Sequence, residues 1–413
     1  MPTIVNQNRL LGELHHLAMF SDVPAPAVTR IVFSPVDLEA RAYVKSLAVK
    51  SGFEVREDAV GNTFARWAGE NPTEPAVGTG SHIDAIPHSG RYDGTVGVLG
   101  GLEAMRALRE SGFVPQRSIE LLLFTSEQPT RFGIGCLGSR LLGGSLDAAA
   151  GERLKDSTGA TLNEVRTAAG FSGPLQSVRL PLGYYHAFVE LHIEQGPLLE
   201  ERAVPLGVVT AIAAPASLRL TIEGEGGHAG AVLMPNRHDA FLGAAEIALA
   251  LEAAARVTGA IDTVATVGIC DIFPGAVNSI PSRVSITVDA RDIDLARRDS
   301  VLTALTAASD LVARERGLRI TTETINADAP AECHPLVVKA LEESCEELGF
   351  QFDRMVSRAY HDSLFISRIA PTAMLFIPCR GGVSHRPDEY ASPQDIARGT
   401  EVLASTLARL SKV

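Results

Sequence analysis

At 413 residues the chain is longer than a typical single domain, and with 46% hydrophobic and 21% charged residues it has the composition of an ordinary globular protein rather than a disordered or fibrous one. A formal charge of −12 argues against a surface built for nucleic acid, and no apolar run is long enough for a membrane helix. Five cysteines without metal-type spacing, and no signal-peptide pattern, give the expectation of a protein of the reducing cytoplasm.

Helical periodicity is expected over residues 8–20 and 38–51. The apolar run 76–79 then predicts a buried strand that delivers His82, in GSHIDAIPHSGRYDGTVGVLGG, to its carboxyl end, where open α/β sheets collect their ligands. Asp84, two residues on, can point the same way and orient the His82 imidazole. Asp93-Gly94 precedes a helix expected over 96–111, and the two oxygens of a carboxylate suit it to bridge two cations. Taken singly, His82 reads equally well as a loop histidine and Asp93 as a helix cap.

The run 119–124 in IELLLFTSEQPTRFGIGCLGSRLL predicts a second buried strand that ends in Glu127 and Gln128. Neighbours on extended backbone face opposite ways, so the pair can divide two tasks, one residue as general base and the other as metal ligand. Glu127 suits the first. Gln128 brings a neutral amide to the second, a weaker donor to a hard cation than a carboxylate. Cys136 and Cys379 have apolar or glycine neighbours and read as packing residues. His192, in VELHIEQGPLLE, and His385, in FIPCRGGVSHRPDEYASP, complete a set of strand-end motifs, each unremarkable alone.

Strands alternate with helices up to about residue 209, as in a sheet covered on both faces. Between 210 and 326 the pattern becomes strand, helix, strand, strand, helix, after which the chain returns to supply the segments holding His361 and His385. The expectation is a two-domain α/β fold with a mixed sheet: a discontinuous catalytic domain, 1–209 and 327–413, interrupted by an α+β lid domain, 210–326. Within the insertion, His228 lies on a glycine-rich turn, Asn278 in a turn between prolines, and Arg291 at a strand end, where its fork can take a carboxylate. In SRAYHDSLF the Tyr360 hydroxyl can recognise a substrate hydroxyl, with His361 as a neighbour in the same pocket; a packing role for the ring is equally consistent.

In this order the motifs resemble the M20 amidohydrolases of the allantoate amidohydrolase and N-carbamoyl-L-amino acid hydrolase group. The resemblance runs from SDVPAPAVTRIVFSPVDLEAR to the final helix, and TGSHIDAIPHSG, RFGIGCLGSRLL, VTAIAAPASL, GGHAGAVLMP and RAYHDSLF look like its ureidoglycolate-cleaving branch. It implies two Mn²⁺ ions, with Zn²⁺, Co²⁺ or Ni²⁺ as alternatives: His82, His192 and Asp93 hold one, and Asp93, His385 and the residue at 128 the other. It further implies Glu127 as base, His228 acting on the oxyanion across a homodimer interface in the lid, Gln195 at the ureido group, and Asn278 and Arg291 at the substrate carboxylate. The implied reaction cleaves the ureido C–N bond of ureidoglycolate; allantoate or an N-carbamoyl amino acid is the alternative substrate. The family pattern has Glu-Glu where this chain has Glu127-Gln128, which predicts a weaker second cation.

Overall fold

The structure is a computed structural model and describes residues 5–412; residues 1–4 and 413 of the expected catalytic domain lie outside the described residues. The chain divides into two compact units. One runs through Ala211 and takes in Glu332–Ser357 and the chain from His361 onward; the other is Ile212–Ala331 with Arg358–Tyr360. The inserted unit therefore ends later than the alternation in the sequence indicated. Arg298 donates to the carbonyl of Asp328, and Asp328 N–H bonds Pro215, so the stretch past 326 stays with the insertion. Arg358 and Tyr360 join it because the Arg358 guanidinium pairs with Asp262 at 2.7 Å and the Tyr360 ring lies 5.4 Å from the guanidinium of Arg291.

The first unit is built on a mixed sheet whose middle is four parallel strands, in the spatial order Ile119–Phe124, Ala76–His82, Tyr185–Ile193, Thr372–Ile377. All residues of Ala76–His82, Ile119–Phe124 and Thr372–Ile377 are buried, which explains why these segments show no regular apolar–polar alternation. The flanking strands Thr63–Trp67 and Gly207–Ile212 run antiparallel to their neighbours. Helices Thr95–Glu110 and Pro393–Leu410 pack together against the sheet. The first comes very close: a Cβ at Gly97 would lie 2.3 Å from the carbonyl oxygen of Leu191, so this seam needs glycine.

The second unit is a four-stranded antiparallel sheet, in the order Val264–Phe273, Arg283–Asp292, Ala214–Glu223, Arg319–Ala327. Helices Ala240–Val257 and Leu295–Arg316 cover one face, burying Ile247, Leu251, Val301 and Leu305 with Leu220, Ile222, Val284 and Ile286. Along Arg283–Asp292 burial alternates residue by residue, the mark of a sheet with one covered face. Val264–Phe273 is an edge strand, and Ile269, Ile272 and Phe273 are exposed on it.

Candidate metal centre

Adjacent parallel strands bring their carboxyl ends together, and each supplies part of one basin. His82 closes Ala76–His82, Glu127 and Gln128 follow Ile119–Phe124, His192 lies near the end of Tyr185–Ile193, and His385 follows Thr372–Ile377 after a Gly-Gly turn. Asp93, just before helix Thr95–Glu110, is the hub. Its Oδ1 lies 3.3 Å from His192 Nε2 and 3.8 Å from His82 Nε2, and its Oδ2 lies 3.2 Å from His385 Nε2. Glu127 Oε2 is 3.5 Å from His82 Nε2.

The tautomers follow from the carbonyls behind the rings. His82 Nδ1 faces the Asp84 carbonyl at 3.0 Å and His192 Nδ1 faces that of Ile193 at 2.9 Å. A carbonyl only accepts, so each neutral ring keeps its proton on Nδ1 and turns the Nε2 lone pair toward Asp93. The group that orients His82 is thus the backbone carbonyl of Asp84; its carboxylate stands 3.6 Å from the ring nitrogen. That carboxylate instead accepts the backbone N–H of Glu127 at 3.1 Å and of Gln128 at 2.9 Å.

Burial pushes the His82 imidazole down to about 4, against the pull of Asp93. At His192 burial is outweighed by Asp93, whose negative charge favours the protonated ring and which accepts a hydrogen bond from Nε2 only in that form, and the imidazole is raised; His385 rises through its hydrogen bond to the same carboxylate. Burial lifts Glu127 well above the ordinary carboxylate range, and Asp362, Asp93, Asp84 and Glu190 push it the same way. A basin this rich in buried acids favours any cation placed among them.

His82, Asp93 and His192 offer ligand atoms that all lie within 4.8 Å of one another, two imidazole nitrogens and a carboxylate oxygen, so the donor set fits a divalent first-row cation. The second position fits less well. Gln128 turns its amide NH₂ to Asp93 Oδ2 at 2.9 Å and sits 3.4 Å from His385 Nε2, a donor where the expected ligand set needs an acceptor. Glu190, His192 and His361 form another compact group, but Ser81 and Ser363 already donate to the two Glu190 oxygens at 2.8 and 2.6 Å. His361 itself is buried, with its ring centroid 4.5 Å from that of His192 and its Nε2 3.1 Å from Ser357 Oγ. It buttresses the His192 ring within the protein.

Gln195 reaches the basin from a left-handed backbone conformation, φ 56°, and donates to Asp93 Oδ1 at 3.0 Å. Ser126, Cys136 and His385 are also non-glycine residues at positive φ, so backbone strain gathers around this site. Cys136, read from sequence as a packing residue, directs its thiol at Glu127 Oε1 from 3.7 Å. Sequence reasoning also missed Glu190 and Glu389. Glu190 had a signal, being a charged residue two before His192 on an otherwise apolar strand and so on the same face; Glu389 had none.

The remaining expected site residues belong to the inserted unit. Gly227–His228 pairs antiparallel with Ser279–Ile280, which sets exposed His228 opposite Ser279 and beside exposed Asn278. His228 Nδ1 accepts the Gly230 N–H at 3.1 Å, leaving Nε2 for another partner. The Arg291 fork is not open as expected: it grips Asp289 with Nε at 2.7 Å and a terminal nitrogen at 3.2 Å.

The profile of the family described as peptidase family M20/M25/M40 matches residues 78–409. The chain is 53% identical to the ureidoglycolate hydrolase of Arabidopsis thaliana over 97% of its length and 86% of that protein, and 38% identical to the N-carbamoyl-L-amino acid amidohydrolase of Geobacillus stearothermophilus over 99% and 100%. It superimposes on crystal structures of AtUAH, solved in complex with glyoxylate and with (S)-hydroxyglycine, with a TM-score of 0.92, 51% identity and 98% of each chain covered. The resemblance drawn from the motifs is thus matched across nearly the whole chain, which belongs to the M20/M25/M40 peptidase family.

Proposed function

We propose that this protein hydrolyses ureidoglycolate, cutting its ureido C–N bond to release ammonia and carbon dioxide and leave hydroxyglycine, which collapses to glyoxylate with loss of a second ammonia. The reading rests above all on Asp93, set among His82, His192 and His385 with Glu127 alongside. Two relatives support the substrate: the Arabidopsis and rice proteins named ureidoglycolate hydrolase share 53% and 50% identity with this chain. Allantoate and N-carbamoyl amino acids are the alternatives.

His82, Asp93 and His192 would hold one Mn²⁺, and Asp93, His385 and Gln128 a second, weaker one, with Zn²⁺, Co²⁺ or Ni²⁺ in their place as alternatives. Such ions acidify water and polarise a carbonyl. Glu127 takes the proton of the attacking water and passes it to the leaving nitrogen. His228 donates to the oxyanion, Gln195 meets the ureido group, and Asn278 and Arg291 take the substrate carboxylate, with Arg291 exchanging Asp289 for the ligand. Tyr360 reads the substrate hydroxyl, and His361 acts from behind His192.

The exposed edge strand Val264–Phe273 is the surface we assign to a homodimer, since an unpaired edge carrying Ile269, Ile272 and Phe273 invites a second copy. No helix among the described residues is long and apolar enough to cross a membrane. All five cysteines are free thiols, which suits the cytoplasm.

The Gln128 amide facing Asp93 favours a second reading, a relative that binds carboxylated amides with impaired turnover. Ammonia release from ureidoglycolate, allantoate and N-carbamoyl amino acids, with bound metal counted in the same samples, separates the two. Mn²⁺-dependent release fastest on ureidoglycolate supports the hydrolase; binding without release supports the impaired relative.

A further inference from the structure

Glu389 is only 4% exposed, and its carboxylate ties the backbone at Tyr92 and Asp93 to Ser384. Its Oε1 accepts the backbone N–H of Tyr92 at 2.7 Å and of Asp93 at 3.1 Å, and its Oε2 accepts the Ser384 hydroxyl at 2.9 Å. Its path is tightly fitted, for a Cβ at Gly90 would stand 2.3 Å from the Glu389 side chain. Because the hydroxyl proton goes to Glu389, Ser384 Oγ is left to accept, and it accepts from Gln195 Nε2 at 3.0 Å. The other proton of that NH₂ goes to Asp93 Oδ1, also at 3.0 Å. Both protons of the amide nitrogen are then in use. What Gln195 can still offer a ligand is its carbonyl oxygen.

We infer that Glu389, acting through Ser384, is a positioning residue that fixes the polarity of the Gln195 amide, so that Gln195 selects ligands with an N–H donor at the ureido end over isosteres that lack one. The inference rests on the ureido-acid reading and adds to it a specificity device that reaches Gln195 through two residues remote in sequence. Where a cation engages Asp93 Oδ1, Ser384 is the acceptor that still holds the amide. A flipped amide would present NH₂ to the ligand and reject the donor that the present orientation accepts.

The test uses two probes with no scissile ureido bond, succinamate and levulinate, which differ by NH₂ against CH₃ beside the same carbonyl. Their affinities for the Mn²⁺-loaded full chain are measured by calorimetry. The unaltered chain is expected to bind succinamate about tenfold more tightly, the difference one hydrogen bond makes. Ser384→Ala is expected to bring the ratio close to one with levulinate affinity and metal content unchanged, and Ser384→Thr, which keeps the hydroxyl, to restore it. Glu389→Gln is expected to act like Ser384→Ala; if it does not fold, the serine variants decide. A ratio near one in the unaltered chain, or a ratio that Ser384→Ala leaves intact, overturns the inference. Hydrolysis of ureidoglycolate by the unaltered chain is scored separately, so loss of the substrate reading and loss of the positioning role give different results.

Discussion

The carboxylate of Asp84 accepts the backbone N–H of Gln128 at 2.9 Å, so the residue expected to orient His82 anchors the loop that carries the proposed base. Its second oxygen does the same for Glu127. Asp84→Asn keeps the volume but replaces one acceptor by a donor, leaving a buried N–H unsatisfied. The expected cost is about 1–3 kcal/mol, read as a lowered urea midpoint of the metal-free protein. An unchanged midpoint would mean that the loop does not depend on this anchor.

Gln128 occupies the space between Asp93 Oδ2 and His385 Nε2 with a neutral donor. Gln128→Glu substitutes an anionic acceptor, which both adds charge to attract a cation and removes the NH₂ facing Asp93. The affinity for a second equivalent of Mn²⁺ is expected to rise about 10–100-fold, with turnover rising alongside it. Metal analysis after gel filtration reads the stoichiometry directly. Equal, tight binding of a second equivalent in both chains would remove Gln128 from the ligand set.

Glu127 faces His82 Nε2 from 3.5 Å and is not in the compact ligand group formed by His82, Asp93 and His192. If it is the base, Glu127→Gln should lower kcat by about 10²–10⁴-fold while the bound metal stays the same. The comparison is best made in the Gln128→Glu background, where turnover is expected to be higher. Retained turnover would assign the proton transfer elsewhere; loss of metal together with activity would make Glu127 a ligand.

The sequence revealed the strands because they are buried on both faces and carry apolar stretches, and it revealed His82, His192 and His385 because each lies at or after the end of such a strand, whereas Asp93 was read from the Asp-Gly step before a helix. Interactions that depend on the far ends of the chain were hidden. Glu389 meets the N–H groups of Tyr92 and Asp93 across almost 300 positions, and nothing local to SHRPDEY marks it as buried. Cys136 was misread for a related reason. Its neighbours in sequence are apolar or glycine, but a backbone bond from its N–H to the Glu127 carbonyl at 2.8 Å folds it back onto the proposed base. Arg291 failed in the opposite direction: a strand-end arginine looked available, and Asp289, two residues before it on the same strand face, already fills its fork.

Gly94 supplies the sharpest link between backbone geometry and the metal site. Its φ of 66° is in the left-handed region, and a Cβ there would lie 2.5 Å from the ring and the carbonyl oxygen of His82. Its N–H donates to His192 Nε2 at 3.1 Å, so the same residue touches two expected ligands. Gly94→Ala therefore brings both a backbone penalty, about 1–2 kcal/mol, and a clash that must move the imidazole or the Asp93 turn. Since a misplaced ligand weakens a cation more than it weakens the fold around it, Mn²⁺ affinity is expected to fall by at least about tenfold with only a modest drop in melting temperature of the metal-free protein. Metal titration of the apo chain beside a thermal melt distinguishes the two effects. An unaltered Mn²⁺ affinity would show that His82 can shift without cost to the site and would argue against its place in the ligand set.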